Sequence, residues 1–315
     1  MTSPGTVVLG ARGSRLALTQ AEACAGELRA EGLRVEVRVI RTTSDHHPET
    51  PLSVIDRRDV FTRQLDEALL GGEIDLAIHS LKDVPTEVPA GITLAAITER
   101  RDPSDALVSD ERYDVDGLPE GAVVATSSLR RRAQLLHRRP DLWVVEIRGN
   151  VDTRVRKMRA GEADAIVLAR AGLDRLGLGA EAPHAVIPSD LMLPAVGQGA
   201  LTAATLKDHP LRGRIREALN HGPTEKAVLA ERAMLRALEG GCRVPVGALG
   251  IAEDGIAEDG VVLLRGVVAS PDGALVYRGE AEGEEPEEVG GRLAQDLLGQ
   301  GAAVVLWEIR GVRSS

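Results

Sequence analysis

The sequence predicts an α/β protein with a smaller α+β unit towards its C-terminal end. Up to about residue 220, strand-like and helix-like segments alternate, which is typical of sheets covered by helices on both faces. After Pro223 the alternation gives way to one helix followed by several strands. A chain of 315 residues is also long enough for two or three domains.

The first elements follow from hydrophobic spacing and from capping residues. The apolar run "TVVLGAR" predicts a strand, and Ser14 is placed to cap a helix that extends to about Ala30. "RVEVRVIR" alternates as a half-buried strand does. The polar loop "TTSDHHPETPLSVIDRRD" then precedes a helix predicted near residues 60–70, and "IDLAIHS" and "ITLAAIT" are further strands.

The later elements come as strand–helix pairs. "GAVVATSS" precedes the helix "LRRRAQLLHRR", "WVVEIRGN" precedes "VDTRVRKMRA", and "ADAIVLA" precedes "AGLDRLGL". After Pro223, the helix "TEKAVLAERAMLRALE" is followed by the strands "VPVGALGIA", "VVLLRGVVA" and "ALVYRGEAE", and then by a helix with an acidic cap. This order predicts the smaller α+β unit.

Composition narrows the class of protein. Hydrophobic residues make up 43% of the chain but aromatic residues only 2%, so the cores must consist of Leu, Val, Ile and Ala. Two distant cysteines cannot form a disulfide framework, which indicates a reducing compartment. No signal peptide is recognisable at the N-terminus, and no apolar run reaches the ~18 residues of a membrane span. We therefore expect a cytoplasmic protein that does not bind membranes.

The charge is distributed unevenly. The net charge is −10, yet residues 121–160 hold ten Arg and Lys against three acids, whereas residues 251–290 hold eleven acids against two arginines. A basic region within an acidic protein indicates a specific anionic ligand. The overall negative charge and the scarcity of aromatic side chains argue against a nucleic-acid partner.

One candidate site lies in "IDLAIHSLKDVP", where an apolar strand ends in Ser80, Lys82 and Asp83. Ligands of open α/β sheets gather at the carboxyl ends of strands. The alternative is a solvated surface pair of Lys82 and Asp83, which for an arbitrary strand end is the more common case. The histidines His46, His47 and His79 do not form a metal-binding set, and we assign no metal.

Two further strand ends repeat this layout. "VVATSSLRRRAQL" places Thr126 and Ser128 at a helix N-terminus, where free amide and hydroxyl groups suit a carboxylate or a phosphate. "EIRGNVDTRVRK" places Arg148 at a strand end, with Asn150 as a possible cap and Arg154 one turn into the helix. Each alone is compatible with an ordinary cap and solvated arginines. Together they indicate a cleft for a ligand with many carboxylates or phosphates.

Six motifs in order resemble the hydroxymethylbilane synthase (porphobilinogen deaminase) family: "HSLKDVP", "TSSLRR", "IRGNVDTR", "AGLDRLGL", "LPAVGQGA" and "LEGGCRVPVGA". The opening "LGARGSRLALTQA" is similar to the first strand and helix of the family, and the resemblance runs from about residue 6 to residue 311. Any one motif is weak, but six in sequence are specific. The resemblance implies an enzyme that condenses four porphobilinogen units head to tail into hydroxymethylbilane and releases ammonia.

The resemblance also implies a dipyrromethane cofactor, joined by a thioether to Cys242 of the "GGC" motif. Cys24, on the apolar side of a predicted helix, is expected to be a small buried hydrophobic residue. Loss of ammonia from porphobilinogen leaves an azafulvene-like cation, which the carboxylate of Asp83 stabilises in this interpretation. The same carboxylate assists removal of the proton from the attacking pyrrole carbon. Asp83 is thus the predicted catalytic residue.

The acidic side groups of the pyrrole units require basic and polar partners, which we assign from the family resemblance together with the strand-end motifs. Predicted cofactor contacts, besides Cys242, are Ser80, Lys82, Thr126, Ser128, Arg130 and Arg131. Predicted substrate contacts are Arg12, Ser14, Arg148, Asn150, Arg154, Arg175 and Gln198. Arg132, Arg138, Arg139 and Arg156 have no such match and are expected on solvated faces.

The family fold resembles type II periplasmic binding proteins, with two α/β domains flanking a cleft. The resemblance implies a domain 1 of residues 1–99 and 199–218, a domain 2 of residues 103–194, and an α+β domain 3 of residues 222–315 that bears the cysteine. We expect a monomer. The alternative function is a non-catalytic anion-binding protein of the same architecture, against which Asp83 and Cys242 argue.

The chain departs from the family before Phe61. Many relatives carry a stretch resembling "GGKGLF", whereas this chain reads "VIDRRDVF". Fewer glycines stiffen a loop. We expect the segment to cover the cleft, with Arg58 contacting an acidic group of cofactor or substrate. The alternative is a solvated loop whose Asp and Arg residues pair with each other, each pair contributing at most about 1 kcal/mol.

Overall fold

The structure, a computed structural model, describes residues 5–40, 62–238, 244–252 and 260–311. The chain divides into two compact units. Unit 1 comprises Met1–Arg101 and Ala200–Glu225, and unit 2 comprises Asp102–Gly199 and Lys226–Ser315. Within the described ranges, no helix has the length and hydrophobicity that crossing a lipid bilayer requires. The finer division into three domains stays a prediction.

Strands and helices are numbered separately in chain order. The strands are β1 (Thr6–Arg12), β2 (Arg34–Ile40), β3 (Leu76–Ser80), β4 (Ile92–Ile97), β5 (Asp105–Val108), β6 (Val123–Ala125), β7 (Trp143–Val145), β8 (Ala165–Ala169), β9 (His184–Ile187), β10 (Leu201–Leu206), β11 (Val246–Ala252), β12 (Val262–Ala269) and β13 (Val276–Gly283). The helices are α1 (Arg15–Ala30), α2 (Arg63–Leu70), α3 (Leu129–Arg138), α4 (Val151–Lys157), α5 (Arg170–Leu176), α6 (Arg212–Leu219), α7 (Gly222–Ala237), α8 (Pro286–Leu297) and α9 (Ala303–Gly311).

The sheet of unit 1 has the order β2-β1-β3-β10-β4. Strand β1 pairs in parallel with both β2 and β3, so the carboxyl ends of these three strands lie at one edge. Strand β10 lies antiparallel between β3 and β4. Leu9, Leu28 and Leu76 belong to a core shared with α1, while Leu65 and Leu69 of α2 belong to a second core. The sheet is therefore covered by helices on both faces.

The first sheet of unit 2 has the order β7-β6-β8-β5-β9. Strand β6 pairs in parallel with β7 and β8, whereas β5 is antiparallel to β8 and β9. Its core joins Leu107, Val124, Val167 and Ile187 of the strands to Leu135 of α3. As the composition predicts, these core side chains are aliphatic. The parallel strands again bring their carboxyl ends to one edge.

The second sheet of unit 2 is the antiparallel meander β11-β12-β13. Leu264 of β12 packs with Met234 of α7 and with Leu293 of α8 in a common core. Two helices on one face of a small antiparallel sheet form an α+β unit, as predicted for the chain after Pro223.

Helices α7 and α8 approach closely at Gly290. A Cβ atom added there would lie 2.6 Å from Cβ of Ala233, whereas one added at Gly291 would meet no atom of the described residues within 4 Å. We predict that Gly290→Ala lowers the free energy of unfolding by about 1–3 kcal/mol through overpacking. The matched change Gly291→Ala should raise it by up to about 1 kcal/mol, because alanine favours helix. Urea unfolding measures both, and equal effects of the two changes would contradict the close packing.

The predicted fold class is confirmed: two α/β sheets are followed by a smaller α+β unit. Strands β5, β9 and β10 were not predicted. The Ala- and Thr-rich β10 has no clear alternation of apolar and polar residues. It pairs with β3, which lies far away in the sequence, so that Leu201 is opposite Ser80. Strand order of this kind is set by contacts far apart in sequence, which local periodicity does not show.

Candidate active site

Arg12 and Ser14 lie where β1 ends. Arg12 is the last residue of β1 and is half-buried. Ser14 is the N-cap of α1, and its side chain accepts a hydrogen bond from the amide of Ala17 at 3.2 Å. The predicted cap is therefore confirmed, and both side chains belong to the carboxyl edge of the unit 1 sheet.

The chain forms one 3₁₀ turn, Leu81–Asp83, directly after β3. The amide of Leu81 donates to the carbonyl of Ala200 at 3.0 Å and holds the turn to the start of β10. Lys82 and Asp83 are half-buried, and Ser80 Oγ donates to Oε1 of Gln20 at 3.2 Å. Because β1 and β3 are parallel neighbours, the structure brings the following predicted residues to one edge: Arg12, Ser14, Ser80, Lys82 and Asp83. Their roles in binding and catalysis stay predictions.

His79 precedes this group and was considered in the sequence only as a metal ligand. Its side chain is buried, with 6% exposed, and its Nε2 atom has no hydrogen-bond partner within the described ranges. Burial first, and then the charge of Arg12, lowers the pKa of His79 to about 4. His79 is therefore neutral at neutral pH, and protonating it in the folded protein is unfavourable.

The neutral state of His79 predicts a pH-dependent stability. Its pKa is about 4 when folded and 6.5 as the ordinary value, so only the unfolded chain binds the proton between these pH values. The free energy of unfolding therefore has its full value above pH 6.5. It falls by about 3 kcal/mol as the pH decreases from 6.5 to 4, because the unfolded chain takes up the proton there. We expect His79→Gln to flatten this part of the unfolding free energy against pH. The control His184→Gln should keep the slope, and a wild-type slope in His79→Gln would contradict the prediction.

The loop after β6 forms a capped helix N-terminus in unit 2. Ser128 is the N-cap of α3 and accepts from the amide of Arg131 at 3.4 Å. Thr126 Oγ1 accepts from the amide of Ser128 at 3.2 Å, and Ser127 Oγ donates to the carbonyl of Ile147. The predicted cap is confirmed, and hydroxyl groups lie at the positive end of the helix dipole.

Arg130 and Arg131 are buried against Asp105, whose side chain is fully buried. Nη1 of Arg130 lies 2.7 Å from Oδ2 of Asp105, and Nη2 of Arg131 lies 2.8 Å from Oδ1. Burial alone raises the pKa of Asp105, but the two guanidinium groups outweigh it and hold the pKa well below its usual range. The structure thus places both predicted cofactor-binding arginines in a buried ion cluster. Their contact with the cofactor stays a prediction.

The remaining predicted arginines of unit 2 are half-buried and reach backbone or acidic groups. Arg148 Nη2 lies 2.6 Å from Oε1 of Glu146, and Arg154 Nε donates to the carbonyl of Gly149 at 2.8 Å. Arg175 Nη2 donates to the carbonyl of Gly199 at 2.7 Å. Asn150 is exposed at the N-cap of α4, without a capping hydrogen bond from its side chain. Their binding roles stay predictions.

Gln198 is 1% exposed and joins the ion cluster. Its Nε2 donates to Oδ1 of Asp105 at 2.9 Å and to the carbonyl of Pro103 at 2.7 Å. Sequence reasoning placed Gln198 among the substrate contacts and missed Asp105. The available signal was a charged residue at the start of the apolar strand "DALV", since a carboxylate in such a strand needs cationic partners.

Two predicted residues, Cys242 and Arg58, lie outside the described residues. The lid prediction for the segment before Phe61 also falls there. Cys24 is 2% exposed in the core of unit 1, so its prediction as a small buried hydrophobic residue is confirmed. In the part of the chain that the structure describes, no three His, Cys, Asp or Glu side chains cluster as metal ligands.

Two family models match the chain. The model described as porphobilinogen deaminase, dipyromethane cofactor binding domain, matches residues 7–212. The model described as porphobilinogen deaminase, C-terminal domain, matches residues 225–299. Together they span both units and include the residues of the two sheet edges.

Named relatives agree with these models. A porphobilinogen deaminase from Rubrobacter xylanophilus is 69% identical over 98% of this chain and 99% of that protein. Another, from Shouchella clausii, is 45% identical over 96% of this chain and 97% of that protein. Among solved structures, a periplasmic substrate-binding protein of an ABC transporter from Coxiella burnetii is 17% identical, with a TM-score of 0.43 over 72% of this chain and 96% of that one.

Proposed function

The chain belongs to the porphobilinogen deaminase family, and we propose that the two sheet edges described above carry the family's reaction in this protein. The enzyme is a transferase that joins porphobilinogen units head to tail into hydroxymethylbilane and releases ammonia. Each unit brings an acetate and a propionate group. The growing product therefore gains negative charge at every step, which the arginines of unit 2 are suited to bind.

Residues of unit 2 fit the carboxylates of a dipyrromethane cofactor. Arg130 and Arg131 carry two positive charges against the single negative charge of Asp105, in buried surroundings. Thr126 and Ser128 add hydroxyl groups at the N-terminus of α3, where an anion is stabilised. We assign cofactor carboxylates to this group of residues. When bound, through Cys242, the cofactor supplies the pyrrole carbon to which the first substrate unit is joined.

Asp83 is the residue to which we assign the chemistry, and its place in the turn after β3 is the observation that carries the proposal. Its carboxylate follows Lys82 and lies at the same sheet edge as Arg12. When ammonia leaves porphobilinogen, the carboxylate stabilises the positive charge on the substrate carbon. It then accepts the proton that the attacking pyrrole carbon loses.

The proposal is tested by mixing the purified protein with porphobilinogen. The expected result is release of one ammonia for each porphobilinogen consumed, together with formation of hydroxymethylbilane. A non-catalytic anion-binding protein would bind porphobilinogen without consuming it. Binding without ammonia release would therefore contradict the proposed function and favour that alternative.

We further propose a cytoplasmic monomer without a nucleic-acid partner. The net charge of −10 supports the last point, because nucleic acids repel an acidic surface. Light scattering should give the mass of one chain, 33.4 kDa. A dimer mass would contradict the monomer, and salt-dependent binding to DNA would contradict the absence of a nucleic-acid partner.

A further inference from the structure

We propose that Asp105 is a positioning residue for cofactor recognition, an inference that rests on the proposed function. Asp105 would act through Arg130 and Arg131, by fixing both guanidinium groups in one orientation before a ligand arrives. It would also set the charge of the cluster, so that a single cofactor carboxylate completes it. Asp105 itself need not contact the cofactor.

The geometry around Asp105 is specific. Its two oxygens accept hydrogen bonds from Nη1 of Arg130 at 2.7 Å, from Nε and Nη2 of Arg131 at 3.1 and 2.8 Å, and from Nε2 of Gln198 at 2.9 Å. The contact with Arg131 uses two neighbouring nitrogens, which defines the plane of that guanidinium as well as its distance. A carboxylate with this many charged and neutral donors has little freedom to move.

Backbone carbonyls hold the two arginines from another side. Nη1 of Arg130 also donates to the carbonyl of Leu193 at 2.7 Å, and Nη1 of Arg131 donates to that of Val167 at 2.8 Å. Leu193 is itself fixed, because its amide donates to Oε1 of Gln134 at 2.9 Å. Each guanidinium is therefore held by Asp105 and by a rigid carbonyl, which fixes its orientation more firmly than either contact alone.

The charges of the cluster do not balance. Among the residues that the structure describes, the groups whose charges act on Arg130 are Asp105, which favours its ionised form, and Arg131, which opposes it. Two cations and one anion leave one positive charge in a place where the three side chains are at most 8% exposed. An uncompensated buried charge is unfavourable, and an anion would relieve it. Both arginines also lie in the first turn of α3, and the helix dipole favours an anion at that end of the helix.

The test follows cofactor loading in variants of Asp105. Apo protein, produced in cells that lack porphobilinogen, is incubated with porphobilinogen, and the covalent mass gain is followed over time. Asp105→Asn removes the charge and should slow loading by ~30-fold or more, the loss expected when one partner of a buried charge pair is removed. Asp105→Glu keeps the charge but shifts the carboxylate, and a misplacement near 1 Å should slow loading by ~100-fold.

The matched control is Asp102→Asn. Asp102 also pairs with an arginine, Arg170, at 2.8 Å, but this pair is about one third exposed. The control should load like the wild type. Circular dichroism and thermal melting of the apo proteins measure folding separately from loading. Asp105→Glu keeps the test decisive if Asp105→Asn does not fold.

Slow loading of a folded Asp105→Glu supports a positioning role, since a residue that served only as buried countercharge would be restored by glutamate. Loading of that variant at the wild-type rate overturns the inference and leaves the proposed function standing. A wild-type protein that gains no covalent mass overturns both.

Discussion

Replacing Asp83 by asparagine should leave the fold intact and remove nearly all turnover of porphobilinogen. The amide has the shape of the carboxylate but neither stabilises a cation nor accepts a proton. We expect kcat to fall by about 10²- to 10⁴-fold, the range for loss of a general acid–base group. The measurement is the initial rate of hydroxymethylbilane formation, with circular dichroism as the check on folding.

A matched control for Asp83 is available in the same loop. Glu87 is an exposed acid that follows the turn after β3, and Glu87→Gln should keep the wild-type rate. The comparison separates loss of a particular carboxylate from loss of negative charge in this region. Hydroxymethylbilane formation at a near-normal rate by Asp83→Asn would reject the assignment of the chemistry to Asp83.

Replacing Arg148 or Arg154 by leucine should stall elongation. Both side chains are half-buried in the structure. Arg148 donates to Oε1 of Glu146 at 2.6 Å, and Arg154 donates to the carbonyl of Gly149 at 2.8 Å. We expect them to bind acetate or propionate groups, each charge-assisted contact contributing roughly 1.5–3 kcal/mol. Intact mass after brief exposure to porphobilinogen should show enzyme-bound intermediates that the wild type converts to product.

The control for these arginines is Arg156→Leu. Arg156 is an exposed residue of α4, the helix that also contains Arg154, and its Nη2 donates to Oγ1 of Thr153 at 3.2 Å. This variant should elongate normally. If Arg148→Leu and Arg154→Leu also elongate normally, both arginines are surface charges without a role in binding.

Features that depend on neighbouring residues were predictable from the sequence. Ser14 and Ser128 cap the helices that follow them, because a cap requires only the next few amides. The strand ends that carry Arg12 and Asp83 also follow from local patterns, since strand and turn residues are adjacent. Local physical chemistry therefore identified the helix caps and the turn that carries Asp83, whereas Arg12 was assigned from the family resemblance.

Features that depend on distant partners were missed. Asp105 lies 25 residues from Arg130 and 93 from Gln198, and nothing local shows that these groups meet. Arg139 was expected on a solvated face, and this is wrong: its side chain is 17% exposed and donates to the carbonyls of Val115 and Leu118. Buried backbone carbonyls need hydrogen-bond donors, but the sequence does not show which loop carbonyls the fold brings next to Arg139.

The intact mass of the purified protein tests the central claim most directly. We predict that the wild-type chain exceeds its sequence mass of 33.4 kDa by one dipyrromethane, that Cys24→Ser keeps the excess, and that Cys242→Ser loses it. A wild-type chain at the bare sequence mass, or an excess that survives in Cys242→Ser, would contradict the account.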